Sequence, residues 1–137
     1  MTPEPRFVLD ASIAITWAMR DEDHPTADLA FSMLEIGSAI VPAIWWYEIR
    51  NTLIMSERRA RILPEDSDSF LRSLEQLRID IDPSSNQSAM MILSRKHGLS
   101  VYDAAYLAVA VRDSLQIATL DKALEAAALA EGVPLLS

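Results

Sequence analysis

Cysteine is absent from this chain of 137 residues. The absence excludes a disulfide framework, a thiolate metal site and a thiol nucleophile. Any metal ion that the protein binds must therefore be held by oxygen atoms or by histidine.

Glycine is also scarce, at three residues, and no repeat, low-complexity tract or Ser/Gly linker interrupts the chain. Half of the residues are hydrophobic, enough for one sizeable core, so we expect a single domain over residues 1–137. No apolar run approaches the roughly 20 residues that span a bilayer, and the N-terminal segment lacks the layout of a secretion signal. We therefore expect a cytoplasmic protein with no membrane partner.

Basic residues are outnumbered, with 12 Lys and Arg against 20 Asp and Glu and a net charge of −8. This balance argues against a broad basic surface for nucleic acid, because phosphate neutralisation is the main sequence-independent contribution to such binding. The positive charge is uneven: residues 50–61 hold four arginines and one glutamate, a local +3 that leaves −11 for the rest of the chain. The acidic remainder suits a basic partner protein.

Short apolar runs alternate with segments of helical periodicity. This alternation predicts a three-layer α/β/α fold, in which helices cover both faces of a mainly parallel sheet of four to five short strands. The candidate strands are residues 6–10, 39–41, 79–81, 116–120 and 133–136. The candidate helices are residues 10–20, 25–36, 42–59, 64–77, 84–97, 100–112 and 121–131, with Pro42 opening the third, and His97 and Gly98 ending the fifth.

Four carboxylates occupy positions where such a fold binds ligands. Asp10 ends the first strand and Asp121 directly follows the strand at 116–120. Asp103 lies in the first turn of the helix before that strand, and Glu48 lies in the first two turns of the helix after the second strand. In an open parallel sheet the ligand site lies outside the carboxyl ends of the strands, where the chain order reverses, so all four can converge there.

Each acid also has a simpler interpretation. Asp103 and Asp121 can stabilise their helices as N-terminal residues, and Glu48 can be a surface residue paired with Thr52 or Arg50. Asp10 is different, because it lies between the apolar segments FVL and ASIAI, where burial without a cation or hydrogen-bond donors is costly.

The segments around these acids resemble those of the PIN-domain nucleases, in particular the VapC-type toxins of toxin-antitoxin pairs. The similar segments are VLDASI, VPAIWWYEIRNTL, LSVYDAAYLAVA and IATLDKAL, in the same order and spread over nearly the whole chain. The resemblance implies that Asp10, Glu48, Asp103 and Asp121 form an acidic pocket that holds Mg²⁺ or Mn²⁺ for RNA hydrolysis, in a homodimer neutralised by a cognate antitoxin. Oxygen ligands suit these hard cations, and a bound metal can activate water and stabilise charge on the phosphate.

Supporting roles follow from the same resemblance. Ser12 and Thr119 match polar positions that support the metal shell, although both can equally make local hydrogen bonds at a helix and a strand end. Asn51, three residues after Glu48, can orient that glutamate or touch substrate. Some relatives carry a further acid just after the position of Asp121. Here residues 122–124 are Lys, Ala and Leu, so the resemblance gives less support for a second metal ion in the site.

Two further groups have competing interpretations. The arginines of the basic segment can guide RNA phosphates, although a charged run on a helix is often only a solvated face. These residues are Arg50, Arg58, Arg59 and Arg61. The tryptophans Trp17, Trp45 and Trp46 lie among aliphatic residues, which favours a place in the core or at a dimer interface over base stacking.

Two other functions remain open from the sequence. One is a catalytically weak PIN-like module for protein interaction, with which the negative charge is compatible. The other is a phosphatase or phosphotransferase with Asp10 as nucleophile, because FVLDAS resembles the opening strand of haloacid-dehalogenase-type enzymes. Those enzymes normally place a second Asp two residues on, where this chain has Ser12.

Overall fold

The computed structural model describes residues 4–19, 23–84 and 86–137. In these residues, strands and helices alternate along the chain as predicted. The elements are β1 (Arg6–Leu9), α1 (Ala11–Ala14), α2 (Pro25–Ile36), β2 (Ser38–Pro42), α3 (Ile44–Arg58), α4 (Pro64–Glu75), β3 (Ile79–Asp82), α5 (Gln87–His97), α6 (Val101–Asp113), β4 (Gln116–Ala118) and α7 (Lys122–Ala130).

The sheet has four strands among the described residues, in the order β3-β2-β1-β4, and every neighbouring pair is parallel. The chain builds outward from β1 to β2 and β3, then crosses back to place β4 on the other side of β1. The order therefore reverses between β1 and β4, where Val8 pairs with Ile117. The crevice between the carboxyl ends of these two strands is where an open parallel sheet binds ligands.

Helices cover both faces of the sheet, which confirms the predicted three-layer α/β/α architecture. On one face, α2 and α3 pack against β2, and α1 contacts both of these helices. On the other face, α6 crosses β1, β2 and β4 and is flanked by α5 and α7. Parallel crossovers are right-handed, so the return connection from β3 to β4 must carry α6 on the face opposite α2 and α3.

The strands are nearly continuous apolar runs because both faces of the sheet are covered. Phe7, Leu9, Val41 and Ile117 are fully buried, and every residue of β2 is buried. Among the described residues, no helix is long and apolar enough to cross a membrane.

The prediction of one continuous helix over residues 10–20 is wrong. The chain forms a single α-turn at α1, continues as a 3-10 turn at Ile15–Ala18 and becomes extended at Met19, while Arg20 lies outside the described residues. The hydroxyl of Thr16 donates to the backbone carbonyl of Ile13 at 2.8 Å. A threonine that bonds back to the preceding turn tightens and bends a helix, which explains the break.

Two proline-containing predictions also need correction. Pro42 does not open α3; it ends β2, where it pairs with Asp82, and the helix starts at Ile44. The predicted strand at 133–136 is reduced to one parallel bridge between Leu135 and Ile117. Pro134 has no N–H to donate, which limits the pairing of this segment.

Candidate active site

Asp10 directly follows β1 and is 5% exposed. Its oxygen Oδ2 accepts hydrogen bonds from the hydroxyls of Ser12 and Thr119, each at 2.7 Å. Donors of this kind offset part of the cost of burying a carboxylate, but they are neutral, and no cation pairs with Asp10 among residues 4–19, 23–84 and 86–137.

Ser12 and Thr119 also hold the β4–α7 turn beside Asp10. The hydroxyl oxygen of Ser12 accepts from the backbone N–H of Leu120, and that of Thr119 accepts from the N–H of Asp121, both at 3.0 Å. The N–H of Asp10 donates to the carbonyl of Ala118, also at 3.0 Å. These bonds hold Asp10 and Asp121, which are more than a hundred positions apart in the sequence, at the same edge of the sheet.

Asp121 has two functions in this geometry. One carboxylate oxygen, Oδ1, accepts from the N–H of Leu124 at 3.0 Å and caps α7. The capping interpretation is therefore correct for Asp121, but it does not exclude a place in the acidic pocket, because its charge acts on both Asp10 and Asp103.

Asp103 is half-buried in the first turn of α6, and it is not the cap of that helix. The cap is Ser100, whose hydroxyl accepts from the N–H of Asp103 at 3.1 Å. The side chain of Asp103 interacts electrostatically with Asp10 and Asp121.

Glu48 reaches the pocket from α3 and contacts α6 through a tyrosine. The hydroxyl of Tyr106 donates to Oε1 of Glu48 at 2.5 Å. Glu48 is half-buried, so the interpretation of this residue as a surface partner of Thr52 or Arg50 is wrong. Tyr106 is fully buried, and the sequence interpretation missed it. Its place three residues after Asp103, on the same face of α6, was the available signal.

Burial and mutual repulsion raise the pKa values of three of these carboxyl groups. The pKa of Asp10 is raised by burial, against the lowering effect of its two hydroxyl partners and of the backbone N–H of Ala11, and the charge of Asp121 raises it further. Burial raises the pKa of Glu48, and Asp10 and Asp103 add to the shift. The pKa of Asp103 is raised by burial and then by Asp121 and Asp10. The four acids that the sequence indicated therefore form one coupled cluster.

Whether this cluster suits a metal ion depends on its donor atoms. All of them are oxygens, which Mg²⁺ and Mn²⁺ prefer, and the repulsion among the carboxylates is what a divalent cation relieves. Within the described parts of the chain, no group of three or more acidic or histidine side chains is already arranged to ligate a metal ion. The donor chemistry fits a hard cation whose coordination is completed by water and substrate.

The other residues predicted to contribute to the site are Asn51 and the four arginines of the basic segment. Asn51 is exposed on α3. Arg50 stacks on Trp46, with its guanidinium carbon 3.5 Å from the ring centroid, and donates to the carbonyl of Trp46 at 3.0 Å. Arg58 ends α3, ten residues and about 15 Å along the helix axis from Glu48. Arg59 and Arg61 follow α3, and Arg61 lines a cavity with Met19 and Phe70 that none of the four carboxylates lines. A role of these arginines in RNA binding stays a prediction.

The three tryptophans occupy different environments. Trp45 is buried in the core at 5% exposure, as predicted. Trp17 is half-buried and donates to the carbonyl of Ala27 at 3.0 Å. Trp46 is 41% exposed, so it does not belong to the core, and its place at a dimer interface stays a prediction.

One curated relative is Ribonuclease VapC3 from Pyrobaculum aerophilum, which is 28% identical over 122 residues, covering 87% of this chain and 92% of that protein. Two solved structures share the fold. The crystal structure of PAE2754 from Pyrobaculum aerophilum matches with a TM-score of 0.71 at 22% identity, over 90% of this chain and 85% of that one. The crystal structure of FitAcB from Neisseria gonorrhoeae matches with a TM-score of 0.63 at 20% identity, over 96% of each chain.

The sequence model of the PIN domain matches residues 7–129. The match spans β1 to α7 and so includes every strand of the sheet and all four carboxylates. The chain belongs to the PIN domain family, as the resemblance of its acidic segments indicated.

Proposed function

We propose that this protein is a metal-dependent ribonuclease that hydrolyses RNA phosphodiester bonds. The observation that carries the proposal is Asp10, a buried carboxylate at the switch point of the sheet whose neighbours are two hydroxyls, the backbone N–H of Ala11 and other carboxylates. Similarity to Ribonuclease VapC3 supports the same substrate class. Buried acids without a compensating cation are costly to keep, and they are characteristic of sites that bind a charged ligand.

Asp10, Asp103, Asp121 and Glu48 would hold Mg²⁺ or Mn²⁺, directly or through water. When bound, such an ion lowers the pKa of a water molecule and stabilises charge on the phosphate. The chain's own residues prepare the site: Ser12 and Thr119 fix one oxygen of Asp10, and Tyr106 fixes one oxygen of Glu48. No protein nucleophile is required.

Cleavage of an unbiased panel of RNAs in Mg²⁺ or Mn²⁺ tests this proposal. We expect cleavage that EDTA stops and that Asp10→Asn reduces at least a hundredfold, since losing a key electrostatic or metal-binding group typically costs this much. Asp28→Asn, an exposed acid in the first turn of α2, is the matched control and should cleave like the wild type. A wild-type protein that cleaves no RNA and binds neither metal would instead support the catalytically weak interaction module.

We further propose that the protein is the toxin of a toxin-antitoxin pair and that it forms a homodimer. The net charge of −8 and the acidic pocket suit an antitoxin segment that is basic or aromatic and lies across the carboxylates. Such a partner, encoded by the neighbouring reading frame, should stop RNA cleavage at a one-to-one ratio. Sedimentation of the purified chain tests the dimer.

A further inference from the structure

A cavity of about 350 Å³ lies beside the acidic pocket, between the first turns of α3 and α6 and the start of α5. We call it the side slot. Its walls are mostly apolar, and Asp82, Ser84 and Asn86 form its polar rim. The apolar walls include Ile44, Met90, Val101, Tyr102 and Ala105. The volume is at the lower end of the range for small-molecule pockets, about 300 to 1,000 Å³.

The side slot and the acidic pocket are built on the same two helices. Ile44 lies one turn before Glu48 on α3, and Tyr102 lies one turn before Tyr106 on α6. Because Tyr106 and Glu48 are hydrogen-bonded to each other at 2.5 Å, a ligand in the side slot would lie one helical turn from the carboxylates.

Tyr102 gives the side slot an accessible aromatic wall. Its side chain is 60% exposed, although Tyr106 on the same helix is fully buried. A tyrosine ring on this surface offers a flat face for stacking, and base–aromatic stacking is largely independent of base identity.

The rim of the side slot offers hydrogen-bonding groups to a neutral ligand such as a base. The carboxylate of Asp82 is paired with Arg112, whose Nη1 lies 3.0 Å from Oδ2, and Arg112 is also paired with Asp113 at 2.8 Å. Asn86 donates to Asp82 at 3.3 Å and accepts from Arg112 at 3.4 Å, which orients its amide. An amide has two N–H groups and two lone pairs, so one of each is left for the edge of a ligand.

We propose that the side slot binds one unpaired base of the RNA, next to the phosphate that a divalent cation at the carboxylates would hold. The inference rests on the proposed ribonuclease function. Charge distribution favours this mode of binding, because the chain carries −8 overall and Arg58, at the far end of α3, lies about 15 Å from Glu48. Arg112 at the rim is already paired with Asp82 and Asp113, so stacking on Tyr102 supplies affinity that phosphate contacts do not. The preferred substrate is therefore single-stranded at this position.

Binding of a short unstructured RNA tests the side slot. The RNA carries a fluorescent base analogue whose emission is quenched by stacking, and it is titrated in Mg²⁺ against the Asp10→Asn protein so that cleavage does not interfere. Adding Tyr102→Ala should weaken binding roughly tenfold and remove the quenching, whereas Tyr102→Phe should retain both. The annealed duplex should bind more weakly than the single strand.

Leu129→Ala is the control for this test, because Leu129 is also 60% exposed but lies on α7. It should leave RNA binding unchanged. Equal binding by the Tyr102→Ala and Tyr102→Phe proteins overturns the proposal. A Tyr102→Ala protein that changes its oligomeric state but still binds RNA normally also overturns the proposal, because the side slot would then bind a second copy of the chain. Cleavage by the wild-type protein is measured separately, so the failure of the side slot can be distinguished from failure of the ribonuclease function.

Discussion

Two buried carboxylates of this protein stand at strand ends of the same sheet and have opposite electrostatic environments. Asp10 follows β1 and Asp82 ends β3, and each is 5% exposed. Asp82 is paired with Arg112 at 3.0 Å and accepts from the N–H of Ser84 at 3.2 Å. Burial opposes the shift, but the bonds from Arg112 and Ser84 hold the pKa of Asp82 below its ordinary value, whereas the pKa of Asp10 is raised.

The difference shows how burial of a charge can be structural in one place and functional in another. A buried acid with a cation and N–H donors is satisfied within the chain and ties its elements together. A buried acid such as Asp10, which has neutral donors and other acids around it and no cation among the described residues, keeps an electrostatic cost that a metal ion would relieve. A buried Asp at the end of a strand can therefore be structural, as Asp82 is with Arg112 as its partner, or can be available to a ligand, as we propose for Asp10.

Arg112→Met should produce the largest change in stability, because it leaves Asp82 buried without its cation. Breaking a buried pair costs about 3–5 kcal/mol, and since the Arg112 side chain is 35% exposed we expect about 2 kcal/mol. Urea denaturation measures the loss. Arg78→Met is the matched control, since its ion pair with Glu4 is exposed, and it should leave the free energy of unfolding nearly unchanged. Equal effects of the two substitutions would refute the structural role of Asp82.

Thr119→Val should lower the free energy of unfolding by about 1–2 kcal/mol, because it removes a donor to buried Asp10 and an acceptor for the N–H of Asp121. Ser67→Ala is the control. Ser67 is also buried, but its hydroxyl has no hydrogen-bond partner in the described part of the chain. Removing that hydroxyl should be neutral or slightly stabilising, as chemical denaturation of both variants will show. A destabilised Ser67→Ala protein would mean that burial alone, and not the Asp10 network, explains the Thr119 effect.

Asp10→Asn should stabilise the metal-free protein by about 1 kcal/mol at neutral pH, although it reduces the proposed activity at least a hundredfold. The amide oxygen can still accept from Ser12 and Thr119, and the buried charge and its repulsion with Asp121 are gone. Stability gained with function lost is typical of residues kept for a ligand. Destabilisation measured in EDTA would show that the Asp10 charge is satisfied within the fold.

Mild acid should stabilise the metal-free wild-type protein. A carboxyl group whose pKa is raised by folding binds its proton more tightly in the folded state, so its stability contribution is lost as the pH rises above the ordinary value of 3.8 for Asp. Asp82 behaves oppositely, and its contribution persists until the pH falls below that value. In EDTA the Tm should therefore rise by a few degrees as the pH is lowered from 7 towards the ordinary pKa of Asp.

This pH effect has an internal control. The gain in Tm on acidification should shrink in the Asp10→Asn protein and when Mg²⁺ is added to the wild type, because both remove the cost of the charged cluster. A Tm that falls steadily from neutral to acidic pH, equally in both proteins, would contradict the raised pKa of Asp10.

Features that depend only on residues close together in the chain could be predicted from the sequence. Gly98 was recognisable as a helix-end residue, and the predicted helix at 100–112 begins at Ser100. The structure places Ser100 as the cap of α6 and Gly98 in the left-handed conformation after α5. Apolar runs such as FVL in β1 predicted buried strands because a covered parallel sheet needs both faces apolar.

Features that depend on distant partners were not predictable in the same way. Asp82 looks like an ordinary polar residue in the segment IDID, and its partner Arg112 is 30 positions away. Tyr106 looks like one more apolar residue of α6, and Glu48 is 58 positions away. The break after Ala14 was missed because it depends on the hydroxyl of Thr16 bonding back to Ile13, which competes with the helical pattern. Helical periodicity describes which face is buried and carries no information on such bonds.

The central claim is that the acidic pocket is a metal site centred on Asp10. Calorimetric titration of Mn²⁺ into the metal-free wild-type and Asp10→Asn proteins tests it most directly. We predict that the wild type binds Mn²⁺ and that the variant, although folded and at least as stable, binds it at least tenfold more weakly. Equal affinities for Mn²⁺, or a wild type that binds none, would contradict the account.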